Sequence, residues 1–347
     1  MHEILEQEPS CEVLEKSNTS TQTVVSEFRR QLLTKPDFII AGAMKSGTTS
    51  LHSVLASHPR VFMPVGEVQL FTIDDIEQNP VFSVPIAGEW TYQNFDRYFD
   101  EYAAWHHSLY AGSAEGQLLG EDAPSYLPSK CAIDRISSYL PNTKLIIILR
   151  DPVSRLYSHY WHLVRTYRAF YSLEDTIRFQ PGNLLQRSYY EEQVRYCFEK
   201  MPREQICVIL FEEFVKQPQV IIERLFDFLG LESLEGVIEH SQHANKGSYP
   251  RYPGLMLIRN RIFRHMAGRG YRGSIPRIPA ADPLPLATRV TLKALRIVNP
   301  QTTRRPKSMS EGTRLFLTRV LRERNAGLPD LLDRDLSEYW PTFRQLN

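Results

Sequence analysis

Gly42 and Gly47 stand at the spacing of a nucleotide-binding loop, with Thr49 where such a loop keeps its Ser/Thr, but Thr48 occupies the place of the usual lysine. The stretch reads IIAGAMKSGTTSLHSVL, residues 39–55, and its lysine lies inside the loop at Lys45. An apolar run ended by glycine and followed by a helical pattern offers an anion backbone N–H groups and the positive end of a helix dipole. Residues 45–50 are therefore expected to hold a phosphate-type group. A lysine after the second glycine reaches β- and γ-phosphates. One placed at Lys45 suits a shorter group, whose bridging oxygen gains charge as the bond to its terminal atom breaks. A solvated Ser/Thr helix cap is the plain alternative.

The elements around this loop read as alternating strands and helices. FIIAGA (38–43), KLIIILR (144–150) and ICVILF (206–211) are apolar runs too short for helices, the mark of strands buried on both faces. TTSLHSVLASH (48–58) follows the first with helical spacing at Leu51, Val54 and Leu55. DPVSRLYSHYWHLVRTY (151–167) follows the second, with Asp151 as N-cap and Pro152 at the first helical position. QVIIERLFDFLG (219–230) follows the third and closes at Gly230. The fold class expected is α/β, a P-loop-type three-layer fold with a central parallel sheet flanked by helices, its ligands at the carboxyl ends of the strands. YQNFDRYFDEYAAWHHSLY (92–110) reads as an aromatic amphipathic helix, and Ser308 with Glu311 as a capping box. Residues 1–34 read as a polar, flexible tail. Residues 35–347 read as one domain with a loop-rich basic segment near 243–305.

Composition limits the function. The 347 residues are 42% hydrophobic and 23% charged, with 41 Lys+Arg against 40 Asp+Glu, so no global field draws the chain to nucleic acid. Cys11, Cys131, Cys197 and Cys207 form no CxxC pattern, which fits free thiols and a cytoplasmic setting. No basic-then-apolar leader opens the sequence and no run of about 18 apolar residues occurs in it, so no transmembrane segment is expected. His159 and His162, like His240 and His243, are pairs without a third ligand, so no metal is expected. From Lys246 to Arg277 there are eight Lys/Arg and no acid, a patch suited to steering an anionic acceptor, to peripheral contact with an anionic surface, or to a solvated lid.

The loop AGAMKSGTTSL resembles that of sulfotransferases using 3'-phosphoadenosine 5'-phosphosulfate (PAPS), and the resemblance runs from about Asp37 to Trp340. It implies that Lys45 contacts the transferring sulfuryl group and that Ser46, Gly47, Thr48 and Thr49, with Ser50 beside them, hold the 5'-phosphate. In LRDPVSRLYSHY it implies that Arg150 and Ser158 bind the 3'-phosphate, the first with a fork of donors. HANKGSYPRY is similar to a loop that closes over the nucleotide, which makes Lys246, Gly247 and Ser248 candidates. GEDAPSYL and SYYEEQVRY also look like family segments, and Tyr190 is placed near the adenosine.

In GEVQLF (66–71), extended geometry puts Glu67, Gln69 and Phe71 on one face, with Glu67 toward the cleft. Glycan-modifying members of the family have a glutamate here as general base, which implies that role for Glu67. This chain departs from the heparan-type branch at Gly66, Gln69 and Asp122, where lysine or histidine is frequent. The function expected is in-line transfer of a sulfuryl group from PAPS to a hydroxyl of a carbohydrate, glycolipid or small metabolite, releasing adenosine 3',5'-bisphosphate (PAP) without a metal. A P-loop small-molecule kinase and a non-catalytic nucleotide- or glycan-binding relative are the alternatives.

Overall fold

The computed structural model describes residues 29, 31–86, 88–233, 249–303 and 309–344. Its main sheet holds β1 (Phe38–Gly42), β2 (Val61–Phe62), β3 (Leu118–Asp122), β4 (Lys144–Leu149) and β5 (Ile206–Leu210), all parallel, in the order β2-β3-β1-β4-β5. The apolar runs mark strands covered on both faces. Ile39, Ala41, Leu145, Ile147 and Leu149 enter one core cluster, while Phe38, Ile40, Ile146 and Ile148 enter the other. Alternate side chains thus point into opposite layers, and each fully buried one contributes about 1.5–3 kcal/mol.

The chain leaves β1 toward β2 and β3, then reverses to β4 and β5, so the switch point lies between β1 and β4. The crevice beyond the carboxyl ends of these two strands is where such sheets bind ligands. From the C-terminal end of β1 the chain enters α1 (Thr48–Ala56), and from β4 it enters α4 (Pro152–Arg165). Asp151 caps α4 by accepting from the Ser154 amide at 2.9 Å, as its sequence predicts. Between these units lie α2 (Phe99–Ser108) and α3 (Lys130–Tyr139). After them come α5 (Tyr190–Lys200), α6 (Pro218–Leu229), α7 (Pro253–Ile262), α8 (Leu286–Val298) and α9 (Glu311–Arg324).

One strand goes beyond the expectations, and three expectations are corrected. Strand β3 was not visible in the apolar pattern, because it ends in Gly120, Glu121 and Asp122. The glycine is required there, since a Cβ at position 120 would lie 2.2 Å from the Phe38 ring. The buried Glu121 accepts from His106 and from the Tyr110 hydroxyl, each at 3.0 Å. The helix read over 92–110 forms only over Phe99–Ser108. The cap of α9 is Ser310, accepting from Thr313, and Ser308 lies outside the described residues. The stretch read as loop-rich contains two helices, α7 and α8.

Candidate functional site

The β1–α1 loop is built to present donors. Gly47 is the N-cap of α1 at φ 102 and supplies no side-chain cap. The first intrahelical bond runs from the Ser50 amide to the Gly47 carbonyl at 3.0 Å, so the amides of Gly47, Thr48 and Thr49 precede the helix ladder. Ser46 is fully buried, and its Oγ has no hydrogen-bond partner among the described residues. A buried hydroxyl without a partner beside an uncapped helix N-terminus fits an anion. A Cβ at Gly47 would approach Phe211 Cδ2 to 2.8 Å, so the Phe211 ring presses directly on the loop.

Arg150 meets the same loop from β4. Its Nη1 donates to the Lys45 carbonyl at 3.2 Å, and its guanidinium stacks over the Phe211 ring at 4.8 Å. Lys45 itself has φ 72, a left-handed backbone that a residue with a Cβ adopts at a cost. Arg150 therefore grips the backbone of the residue whose ammonium is expected at the reacting group. Ser158 lies half-buried on α4. Tyr190 has no exposed surface, and its ring packs 6.0 Å from Trp340. It supports the loop from beneath and offers no open face to an adenine. Lys246, Gly247 and Ser248 lie outside the described residues.

Glu67 reaches the cleft by a route other than the extended one expected. After β2 the chain turns at Gly66 (φ 90) and Gln69 (φ 46), then enters a 3-10 turn over Leu70–Thr72. The Val68 amide donates to the Asp122 carbonyl at 3.0 Å, while Val68, Leu70 and Phe71 are buried. Gln69 Nε2 donates to Glu67 Oε2 at 2.7 Å. The Gln69 carbonyl oxygen in turn accepts from Ser125 and from Asn79, which fixes the amide's orientation toward Glu67. Glu67 is an exposed residue, yet enough of the chain lies around its carboxyl for burial to act on its pKa. Burial raises its pKa, against the Gln69 hydrogen bond and the charges of Lys45, Arg168 and Arg187.

Arg168 and Arg187 are the part of the site that the sequence did not reveal. The Lys45 pKa is lowered, first by burial and then by Arg165, with Glu67 opposing. Arg168 donates to His162 Nε2 at 2.7 Å. Burial and the charges of Lys45, Arg168, Arg165 and Arg187 drive His162 down to about 2, so it is a neutral acceptor at ordinary pH. Arg187 is buried and held by Gln78, through its Oε1 at 3.0 Å and its carbonyl at 2.6 Å, and Nη1 donates to Met44 Sδ at 2.9 Å. Tyr271 feels both Glu67 and Arg168. These residues come from the end of α4, the segment before α5 and the turns after α7, and no local motif links them. Asp122, 3.9 Å from His52 Nδ1, has its pKa raised well above the carboxylate range by burial, Glu67 and Glu121.

Chemically, the loop and its neighbours bring together the uncapped amides of α1, the Lys45 ammonium, the Arg150 guanidinium and the Glu67 carboxylate. That set can hold a polyanion and accept a proton beside it. Among the described residues no group of three His, Cys, Asp or Glu is placed to hold a metal ion. No helix among them is long and apolar enough to cross a membrane.

Comparison with known proteins points the same way. Human heparan sulfate glucosamine 3-O-sulfotransferase 3A1 is 28% identical over 219 residues, covering 61% of this chain and 47% of that protein. Human heparan sulfate glucosamine 3-O-sulfotransferase 6 is 25% identical over 254 residues, covering 71% of this chain and 66% of that protein. The chain thus spans about half the length of the first relative and just under two thirds of the second. A sulfotransferase from Alicyclobacillus acidocaldarius shares the fold, with a TM-score of 0.56 at 22% identity over 88% of this chain and 99% of that one. The profile of the sulfotransferase family matches residues 36–235, more than half of the sequence, and the chain belongs to that family.

Proposed function

We propose that the protein transfers a sulfuryl group from PAPS to an acceptor hydroxyl. The observation that supports this most is the convergence of the uncapped α1 N-terminus, Lys45, Arg150 and Glu67 on one cleft at the switch point of the sheet. In this reading Ser46, Gly47, Thr48, Thr49 and Ser50 hold the 5'-phosphate, and Arg150 with Ser158 holds the 3'-phosphate. Lys45 neutralises the bridging oxygen as its bond to sulfur breaks. Glu67 takes the acceptor proton as the new oxygen–sulfur bond forms, and PAP leaves with the bridging oxygen.

The acceptor side favours negative charge. Arg168 and Arg187 lie near enough to Glu67 for their charges to act on it, and their hydrogen bonds go to neutral groups. A carbohydrate hydroxyl next to an anionic substituent fits that wall, in line with the heparan sulfate named for the relatives. A cytoplasmic setting is part of the proposal and rests on the free thiols of Cys131, Cys197 and Cys207. The test is transfer of labelled sulfate from PAPS to a panel of neutral and anionic hydroxyl acceptors. Label should enter an anionic acceptor with the wild-type chain and do so at least about a hundredfold more slowly with Glu67→Gln. Equal transfer by both removes Glu67 from the reaction, and no transfer to any acceptor by a chain that binds PAP favours a non-catalytic role.

A further inference from the structure

Beside the catalytic cleft, α7 and α8 form a surface that the proposed reaction does not use. Residues 249–303 hold ten Lys/Arg and one acid, Asp282. None of the residues of α8 is buried among the described residues. Leu286, Val290, Lys293 and Ile297 recur at helical spacing on one face of α8, and Leu255, Ile258, Arg259 and Ile262 on one face of α7. Ile258, Ile262, Leu286, Val290 and Ile297 are each more than half exposed. No ion pair among the described residues neutralises Arg289, Lys293 or Arg296.

The two helices also share a cleft of about 540 Å³. Leu255, Leu292 and Leu295 line it together with Arg165, Arg259 and Arg296. Arg259 stacks on Tyr167 at 3.8 Å, which ties this cleft to the end of α4. Arg165 lies in its wall and is also the foremost charge acting on Lys45, so the cleft adjoins the reacting centre.

We propose that the α7–α8 face docks on an anionic lipid bilayer. Aliphatic side chains flanked by long cations are the pattern of a helix lying in a membrane interface, where the stems of Lys and Arg stay apolar and their heads reach phosphate. Interfaces between proteins instead concentrate aromatic side chains, and neither α7 nor α8 carries one. A second copy of the chain is a poor occupant, because a two-fold contact would gather two sets of Arg289, Lys293 and Arg296 in one interface with no acid on either helix to offset them.

The experiment is sedimentation of the full chain with vesicles of phosphatidylcholine alone and with about one third phosphatidylserine, at low and raised salt. Calorimetry with PAP on the same samples reports on folding and, separately, on the sulfotransferase reading. The chain should sediment with the anionic vesicles only, and less at raised salt. Val290→Glu with Ile297→Glu should abolish sedimentation. Arg289→Ala with Lys293→Ala should weaken it roughly 25-fold, about fivefold per cation removed. Both variants should bind PAP as the wild type does. Sedimentation independent of phosphatidylserine, or unchanged in the glutamate variant, overturns the proposal. So does light scattering that shows a wild-type dimer broken by the same substitutions, since the face would then join copies of the chain. Failure to bind PAP by a wild-type chain that sediments would refute the reaction and leave the docking intact.

Discussion

Replacing Gly47 by alanine perturbs both halves of the proposed donor site through one methyl group. At φ 102 an L-residue is strained, at a cost of about 1–3 kcal/mol. The new Cβ would lie 2.8 Å from Phe211 Cδ2 and 3.0 Å from Cε2, well inside contact distance, and relieving such overpacking typically costs about 1–3 kcal/mol. Two relaxations are open. The loop withdraws and takes the amides at the α1 N-terminus with it, or Phe211 yields and shifts the Arg150 guanidinium stacked on it at 4.8 Å. Either one displaces an anion donor. Calorimetry with PAP should show affinity lowered at least about tenfold, the effect of losing roughly 1.4 kcal/mol of binding. Gly116→Ala is the control: its φ is 83, but nothing lies within 4 Å of a Cβ there. It should lose stability of about 1 kcal/mol from strain alone and bind PAP normally. If Gly47→Ala, correctly folded, binds PAP as tightly as Gly116→Ala does, the loop amides do not hold the donor.

Glu67→Gln should lower kcat by about 10²- to 10⁴-fold while PAP affinity stays the same or rises, since the carboxylate facing Lys45, Arg168 and Arg187 is gone. Because burial raises the Glu67 pKa, wild-type activity should fall as pH drops through a value above the usual carboxylate range, and residual activity of the variant should lack that limb. Asp122 is also raised, so its contribution to stability is complete below the ordinary carboxylate pKa and is lost as pH rises through its raised value. Asp122→Asn should therefore stabilise the fold by about 1–3 kcal/mol near neutral pH and by nothing at acid pH, measured by denaturant titration at both. His106→Ala removes the 3.0 Å partner of the fully buried Glu121 and should cost about 3–5 kcal/mol by the same measurement.

How much of this could be read from sequence depended on whether neighbours in space were neighbours in the chain. β1, β4 and β5 were legible because burial on both faces leaves a continuous apolar run, and Asp151–Pro152 announced the start of α4. β3 was hidden because Glu121 is paid for by His106 and Tyr110, which only tertiary structure brings to it. The position of Glu67 was anticipated but its geometry was not, since positive φ at Gly66 and Gln69 breaks the period of two. Arg168 and Arg187 carry no local signal at all: each comes within electrostatic range of Glu67 from a separate connection. The face of α8 was different. Leu286, Val290 and Ile297 stand at helical spacing, while Pro276, Pro279, Pro283 and Pro285 just before them break any longer period.

The central claim is that Lys45 and Arg150 grip one adenosine-based sulfate donor, and calorimetry with PAP against ATP plus Mg²⁺ tests it most directly. PAP should bind, with affinity reduced separately by Lys45→Ala and by Arg150→Ala, and ATP plus Mg²⁺ should bind more weakly than PAP. Preference for ATP, or PAP binding indifferent to both substitutions, would contradict it.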